Sequence, residues 1–306
     1  MNRIKRIRNL FITSLALFLL GNKSFKIIRG NNIAQEIVDS HKNSQNHIEN
    51  IVAHRGFSGM YPENTLKSIT EAMNLDCVDM IEIDIRYTKS GIFVLHHDSV
   101  IDFENIIMKI ENLEIDDIDS EIIIKRYPHI MFNNFIHDDT LFLFKRYLNS
   151  ISYEEKVITL NNVLRNYNFS KPLILDVKTN KIDIEMINQL NNLIKDYKDN
   201  IFIQSDYFPF LEIMIKLYPD YKYLYIIKSY NSIKNTNQNL YGYTVRYELL
   251  NRIKIDSTKA YFIYTINSSD RYLKILGNEN YRNNMYIISD NPDYICSLGN
   301  TKKIRK

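Results

Sequence analysis

The 306-residue chain is 45% hydrophobic and 25% charged, with a net charge of +3. That is the balance of a folded protein, and the length suits one large α/β domain or two smaller ones. Arg3, Lys5, Arg6 and Arg8 crowd the N-terminus, so the rest of the chain is close to neutral and a basic nucleic-acid binder is excluded.

The chain opens "MNRIKRIRNLFITSLALFLLGNKSF". Its apolar run, Leu10 to Leu20, falls short of the ~20 residues of a spanning helix. No small-x-small cleavage site follows Leu20. Residues 1–21 therefore read as a signal-anchor with its positive charges held in the cytoplasm. A cleaved signal peptide and an ordinary amphipathic helix are the alternatives. The first two readings put the remaining chain on the extracytoplasmic face of the cell membrane, or outside the cell. Residues 22–48 are polar and read as a spacer, and residues 301–306 as a basic tail.

From residue 49 short β-branched runs alternate with helical patterns. Strands are expected at Ile51–His54, Met80–Ile85, Ile92–His96, Leu173–Lys178, Ile201–Gln204, Tyr223–Ile227, Ala260–Thr265 and Met285–Ser289. Helices are expected over Thr65–Leu75, Ile182–Tyr197 and Phe208–Leu217. Continuous apolar strands suit a parallel sheet covered on both faces. Eight such units predict a TIM (β/α)8 barrel over residues 49–300; an open doubly wound sheet is the alternative, without a GxGxxG turn to support it. About 75 residues separate His97 from Leu173. Residues 99–156 read as an insertion over the barrel's C-terminal mouth, with helices near Phe103–Leu113 and Asp138–Leu148. Cys77 and Cys296 lie far apart and form neither a disulfide framework nor a zinc spacing. Cys77, in a helix-like run before a strand, reads as a buried thiol.

In such a barrel the strand ends deliver side chains to one rim. In "IEIDI", Glu82 and Asp84 are two apart and share a face, with Ile81, Ile83 and Ile85 on the other. Two carboxylates inside a barrel need a cation, and hard oxygen ligands point to Mg²⁺ or Ca²⁺; the alternative is a solvated pair on an edge strand. In "LILDVKT", Asp176 and Lys178 repeat the arrangement. They offer a third carboxylate and a cation for an anionic substrate, or else a surface ion pair. His54 and His97 end separate strands and suit general acid and base, while His96 points away and has no role. Arg55, Gly56 and Gly59 surround His54 in "AHRGFSGMYPENT".

Six segments in order, "AHRGFSGMYPENT", "IEIDIRYTKSGIFVLHHD", "TLNNVL", "IFIQSDYFPFLEIMIKLYP", "YTIN" and "IISDNPD", resemble the glycerophosphodiester phosphodiesterases over about Ile51 to Leu298. The resemblance implies a TIM barrel, a divalent cation and two catalytic histidines. Those roles fall on His54 and His97, the metal ligands on Glu82, Asp84 and Asp176, and phosphate binding on Arg55 and Lys178. Glu63 and Asn64 brace the first loop, and Thr65 caps the next helix. The implied reaction is metal-dependent hydrolysis of a small glycerophosphodiester, or of a glycerol-phosphate polymer, to glycerol phosphate and an alcohol. Two departures stand out. The third metal position, usually Glu in the family, is Asp176, as in the related sphingomyelinase D-like barrels. The Arg-Thr-Thr-like continuation after the second histidine is replaced by "HHDSVIDF". A sphingomyelinase D-like phospholipase and a catalytically silent tethered binding module remain as alternatives.

Overall fold

The computed structural model describes residues 50–103, 106–114, 123–126, 153–167, 169–234, 238–278 and 284–300. The N-terminal apolar segment, the spacer, the expected helix over 138–148 and the basic tail lie outside them. In chain order the strands are β1 (Ile51–Ala53), β2 (Met80–Tyr87), β3 (Phe93–Leu95), β4 (Val100–Phe103), β5 (Ile106–Lys109), β6 (Ile123–Arg126), β7 (Tyr153–Lys156), β8 (Leu173–Val177), β9 (Ile201–Ser205), β10 (Lys222–Ile227), β11 (Gly242–Arg246), β12 (Ala260–Tyr264) and β13 (Met285–Ser289). The helices are α1 (Leu66–Met73), α2 (Leu160–Asn166), α3 (Ile184–Ile194), α4 (Phe208–Leu217), α5 (Ser269–Leu276) and α6 (Pro292–Asn300). Among the described residues no helix is long and apolar enough to cross a membrane.

Eight strands pair in parallel in the order β1-β2-β8-β9-β10-β11-β12-β13, and β13 returns to β1. The result is a closed TIM barrel. Strand alternation sorts its side chains. Val52, Met80, Ile174, Phe202, Leu224, Ala260, Phe262 and Ile288 pack together inside. Their neighbours, such as Ile51, Ile81, Ile83, Leu175 and Ile203, point outward into the larger core beneath the helices. The interior is thus apolar at the bottom, and the same faces turn polar toward the strand C-termini at Glu82, Asp84, Asp176 and Gln204. The register sets Asp84 beside Asp176, and Asp176 beside Gln204.

Three expectations need correction. Ile92–His96 is not a barrel strand. Thr88–Gly91 turns the chain back, Gly91 takes φ +82°, and β3 runs antiparallel on β2 with Ile85 opposite Leu95. The eighth barrel strand is β11, whose "GYTVR" carries too little apolar signal to read as buried. Gly242 is required there, because a Cβ would meet the Ala260 carbonyl oxygen at 2.1 Å. The helix expected over Phe103–Leu113 is instead the antiparallel hairpin β4–β5 followed by a 3₁₀ turn at Ile110–Asn112. The β-branched Val100, Ile101, Ile106 and Ile107 favour strand over helix. A second antiparallel pair, β6 with β7, joins the middle of the insertion to its C-terminal end.

The cysteines are the third correction. Cys77 and Cys296 form a disulfide, with Cα atoms 6.1 Å apart across 219 residues of sequence. Cys77 precedes β2 and Cys296 lies in α6, so the bond ties the first β/α unit to the last helix across the seam where β13 meets β1. A loop this long gives a chain-entropy stabilisation on the order of 5 kcal/mol.

Candidate active site

The loop after β1 is shaped by its backbone. Arg55 and Gly56 both have positive φ, 57° and 75°. A Cβ at Gly56 would sit 2.5 Å from Ser68 Oγ, so α1 can approach only a glycine there. Thr65 caps α1 by accepting from the Ser68 amide, and Ser68 Oγ accepts from the Thr65 amide in return. Asn64, also at positive φ, is buried and clamps Asp84 twice. Its Nδ2 donates to Asp84 Oδ2, and its Oδ1 accepts from the Asp84 amide, both at 2.9 Å.

Glu82, Asp84 and Asp176 are all buried, and they bring carboxylate oxygens within 4.8 Å of one another. Lys178 Nζ lies 2.5 Å from Asp176 and 3.0 Å from Asp84. Arg55 Nε lies 3.0 Å from Asp84, and Arg55 Nη1 donates to Glu63 at 2.7 Å. The Arg55 amide donates to Glu82 Oε2 at 2.9 Å. Glu63 and Asn64 thus brace the cluster: one orients the arginine, the other an acid.

His54 enters from β1. Its Nδ1 is 2.6 Å from Asp290 Oδ1, which leaves Nε2 facing Glu82 at 3.9 Å. Asp290 follows β13 and also accepts from Ser58 Oγ and Asn267 Nδ2. His97 arrives by a different route. The β2–β3 hairpin folds back over the rim, Arg86 donates twice to the His97 carbonyl, and the His97 ring pairs with Asp98 at 2.8 Å. The structure therefore gathers all the expected site residues at the C-terminal mouth. Asp290, Asn267 and Arg86 were not singled out for a role. All three lie within segments that carry the family resemblance, Asn267 in "YTIN", Asp290 in "IISDNPD" and Arg86 in "IEIDIRYTKSGIFVLHHD", but nothing in those segments names their partners.

A family model, the glycerophosphoryl diester phosphodiesterase family, matches residues 54–254, from His54 through all three acids. The chain belongs to this family. It is 24% identical over 274 residues to YhdW of Bacillus subtilis (strain 168), named for glycerophosphodiester phosphodiesterase activity; the match covers 83% of this chain and 99% of that one. The fold is also that of the Thermotoga maritima glycerophosphodiester phosphodiesterase, at a TM-score of 0.55, 20% identity and coverage of 83% of this chain and 100% of the other. An Oleispira antarctica phosphodiesterase, solved with its product sn-glycerol-3-phosphate, has the same fold at a TM-score of 0.55 and 20% identity, covering 82% and 96%. The protein is thus a glycerophosphodiester phosphodiesterase family enzyme, a hydrolase of phosphoric diesters.

The acids of this phosphodiesterase cannot all ionise on their own. Burial, reinforced by the charge of Asp84, pushes Glu82 up to about 8. Burial likewise raises Asp176, against the pull of Lys178. Burial would also raise Asp84, but Lys178 and Arg55 outweigh it and hold that carboxyl far below the usual range. Two cations face three carboxylates. Glu82 Oε1 and Asp176 Oδ1 are buried without a hydrogen bond, and Asp84 Oδ1 has only the Lys178 ammonium beside it. An all-oxygen set of buried carboxylates with unsatisfied lone pairs fits a hard divalent cation.

The histidines diverge. Burial lowers the pKa of His54, but the charge and hydrogen bond of Asp290, with the charge of Glu82, more than reverse this and raise it above 6.5. Burial lowers His97 below 6.5; Asp84 opposes the shift, while Arg55 and Lys178 add to it.

Proposed function

We propose that the enzyme hydrolyses glycerophosphodiesters by metal-dependent acid–base catalysis at the barrel mouth, with His54 and His97 as its two proton carriers. The observation that carries this is the opposite displacement of the two histidines beside a buried three-carboxylate cluster. Glu82, Asp84 and Asp176 would hold Mg²⁺ or Ca²⁺, which when bound supplies Lewis-acid neutralisation of phosphate charge. Arg55, fixed by Glu63 and Asp84, and Lys178 hold phosphate oxygens. His97, with its pKa lowered, accepts the proton of the attacking hydroxyl, from water or from the substrate's own glycerol. In the latter case a cyclic phosphate forms and water then opens it. His54, oriented by Asp290 and with its pKa raised, gives its proton to the departing alcohol oxygen.

The same reading places the barrel outside the cytoplasmic membrane, held by residues 1–21 through the 22–48 spacer. The Cys77–Cys296 disulfide supports it, since such bonds persist in oxidising compartments. The substrates there are small glycerophosphodiesters or glycerol-phosphate polymers. The test is parallel turnover of glycerophosphocholine, glycerophosphoglycerol and a lysophospholipid. Release of glycerol phosphate from the first two supports the reading. Attack on the lysolipid alone would favour a phospholipase, and no turnover of any would leave a silent binding module.

A further inference from the structure

The mouth has a second charged wall. Barrel order sets β10 opposite β1, and β11 opposite β2. Lys228 and Arg246 therefore lie across the mouth from His54 and the acids of β2. At ~4.8 Å between strands and a tilt of ~36°, facing backbones of an eight-stranded barrel are about 15 Å apart, so long side chains on both walls can hold one extended ligand.

The position of Arg246 follows from the register. Gly242, Thr244 and Arg246 alternate onto one face of β11. Thr244 is buried and donates to Gln204 on β9 inside the barrel, so that face is the interior. Arg246 is opposite Tyr264 on β12, and Asp176, Lys178 and Arg246 all act on the Tyr264 hydroxyl. Ile227 pairs with Val245, so Lys228, the next residue, stands at the level of Arg246.

The charges on this wall do not cancel. Lys228 pairs with Asp206. Arg246 and Arg271 share one partner, Glu248, at 3.5 and 3.3 Å. The Arg246 side chain is 52% exposed, and among the described residues one positive charge is left over in the group.

We propose that Arg246, with Lys228 beside it, forms an anion subsite for the leaving group, selecting diesters whose alcohol carries a further phosphate. This rests on the hydrolytic reading above, which puts the scissile phosphate on the β1–β2–β8 side. The second phosphate can be a terminal monoester on a small diester or the next diester of a glycerol-phosphate chain.

The test compares wild type with Arg246→Gln, Arg246→Lys and Lys228→Gln. The substrates are glycerophosphocholine, glycerophosphoglycerol, glycerophosphoglycerol 3-phosphate and a glycerol-phosphate trimer. Loss of one charge-assisted contact should raise KM about tenfold for phosphate-bearing substrates, leaving kcat and both unphosphorylated diesters unchanged. Arg246→Lys should restore part of the loss, and salt should shrink the difference. An effect on only one of the two phosphate-bearing substrates identifies the source. Uniform loss on all four substrates, or on none, would overturn the subsite. Calorimetry with glycerol 1,3-bisphosphate against glycerol 3-phosphate reads the subsite without turnover. Weaker bisphosphate binding in Arg246→Gln alone supports it even if no diester is cleaved, a result that would sink only the hydrolytic reading. Equal bisphosphate binding by the two proteins refutes it.

Discussion

Replacing Asp290 by Asn should move the alkaline limb of the pH–rate profile. With His97 as base and His54 as acid, kcat/KM against pH is a bell. Its acid limb lies below 6.5 and its alkaline limb above, the directions in which burial and Asp290 displace the two rings. Asp290 is the main group that raises His54, through a buried contact at 2.6 Å. A hydrogen bond to a charged group is worth roughly 1.5–3 kcal/mol, which corresponds to about 1–2 pH units. Asp290→Asn should therefore shift the alkaline limb down by about 1–2 units and narrow the bell. The Asn amide must also turn its NH₂ toward either His54 or Asn267, so a fall in kcat accompanies the shift. Asp98→Asn is the control. That carboxylate is 73% exposed, and its pair with His97 is screened, so the acid limb should barely move. An unchanged alkaline limb in Asp290→Asn would refute the assignment of His54 as the acid.

His54→Ala and His97→Ala should each lower kcat by ~10²–10⁴-fold while circular dichroism stays native; near-normal turnover in both would end the two-histidine mechanism. Cys296→Ser should cost roughly 2–5 kcal/mol and, at ~2–4 °C per kcal/mol for a domain of this size, lower the calorimetric Tm by about 4–20 °C. An unchanged Tm with and without reductant would mean the bond does not form. A protein beginning at Asn46 should be soluble and fully active on small diesters, and protease added to intact cells should digest the full-length domain. Complete protection would refute outward placement and leave the chemistry untouched.

What could be read from sequence followed from local periodicity. Glu82 and Asp84 declared a shared face because strand alternation is strict, and Asp176 and Lys178 repeated the pattern. The failures have physical causes. Gly242 is dictated by a close approach between two backbones, so the strand that needs it looks like a loop. Ile92–Leu95 is as apolar as a barrel strand, but the turn at Thr88–Gly91 reverses it, and only pairing reveals the direction. His54 and Asp290, like Cys77 and Cys296, meet because the barrel closes on itself. Sequence spacing holds no trace of that closure; the motif "SDNPD" marked Asp290 without naming its partner.

The most direct test is phosphorus NMR of glycerophosphoglycerol incubated with chelator-stripped enzyme, before and after Mg²⁺ or Ca²⁺ is added. Glu82, Asp84 and Asp176 face one another, and a buried oxygen of Glu82 and one of Asp176 have no hydrogen-bond partner. Glycerol phosphate should therefore appear only after the ion is added, and Asp84→Asn should not respond. Release that continues in excess chelator, or equal rescue of Asp84→Asn, would contradict the metal-dependent site.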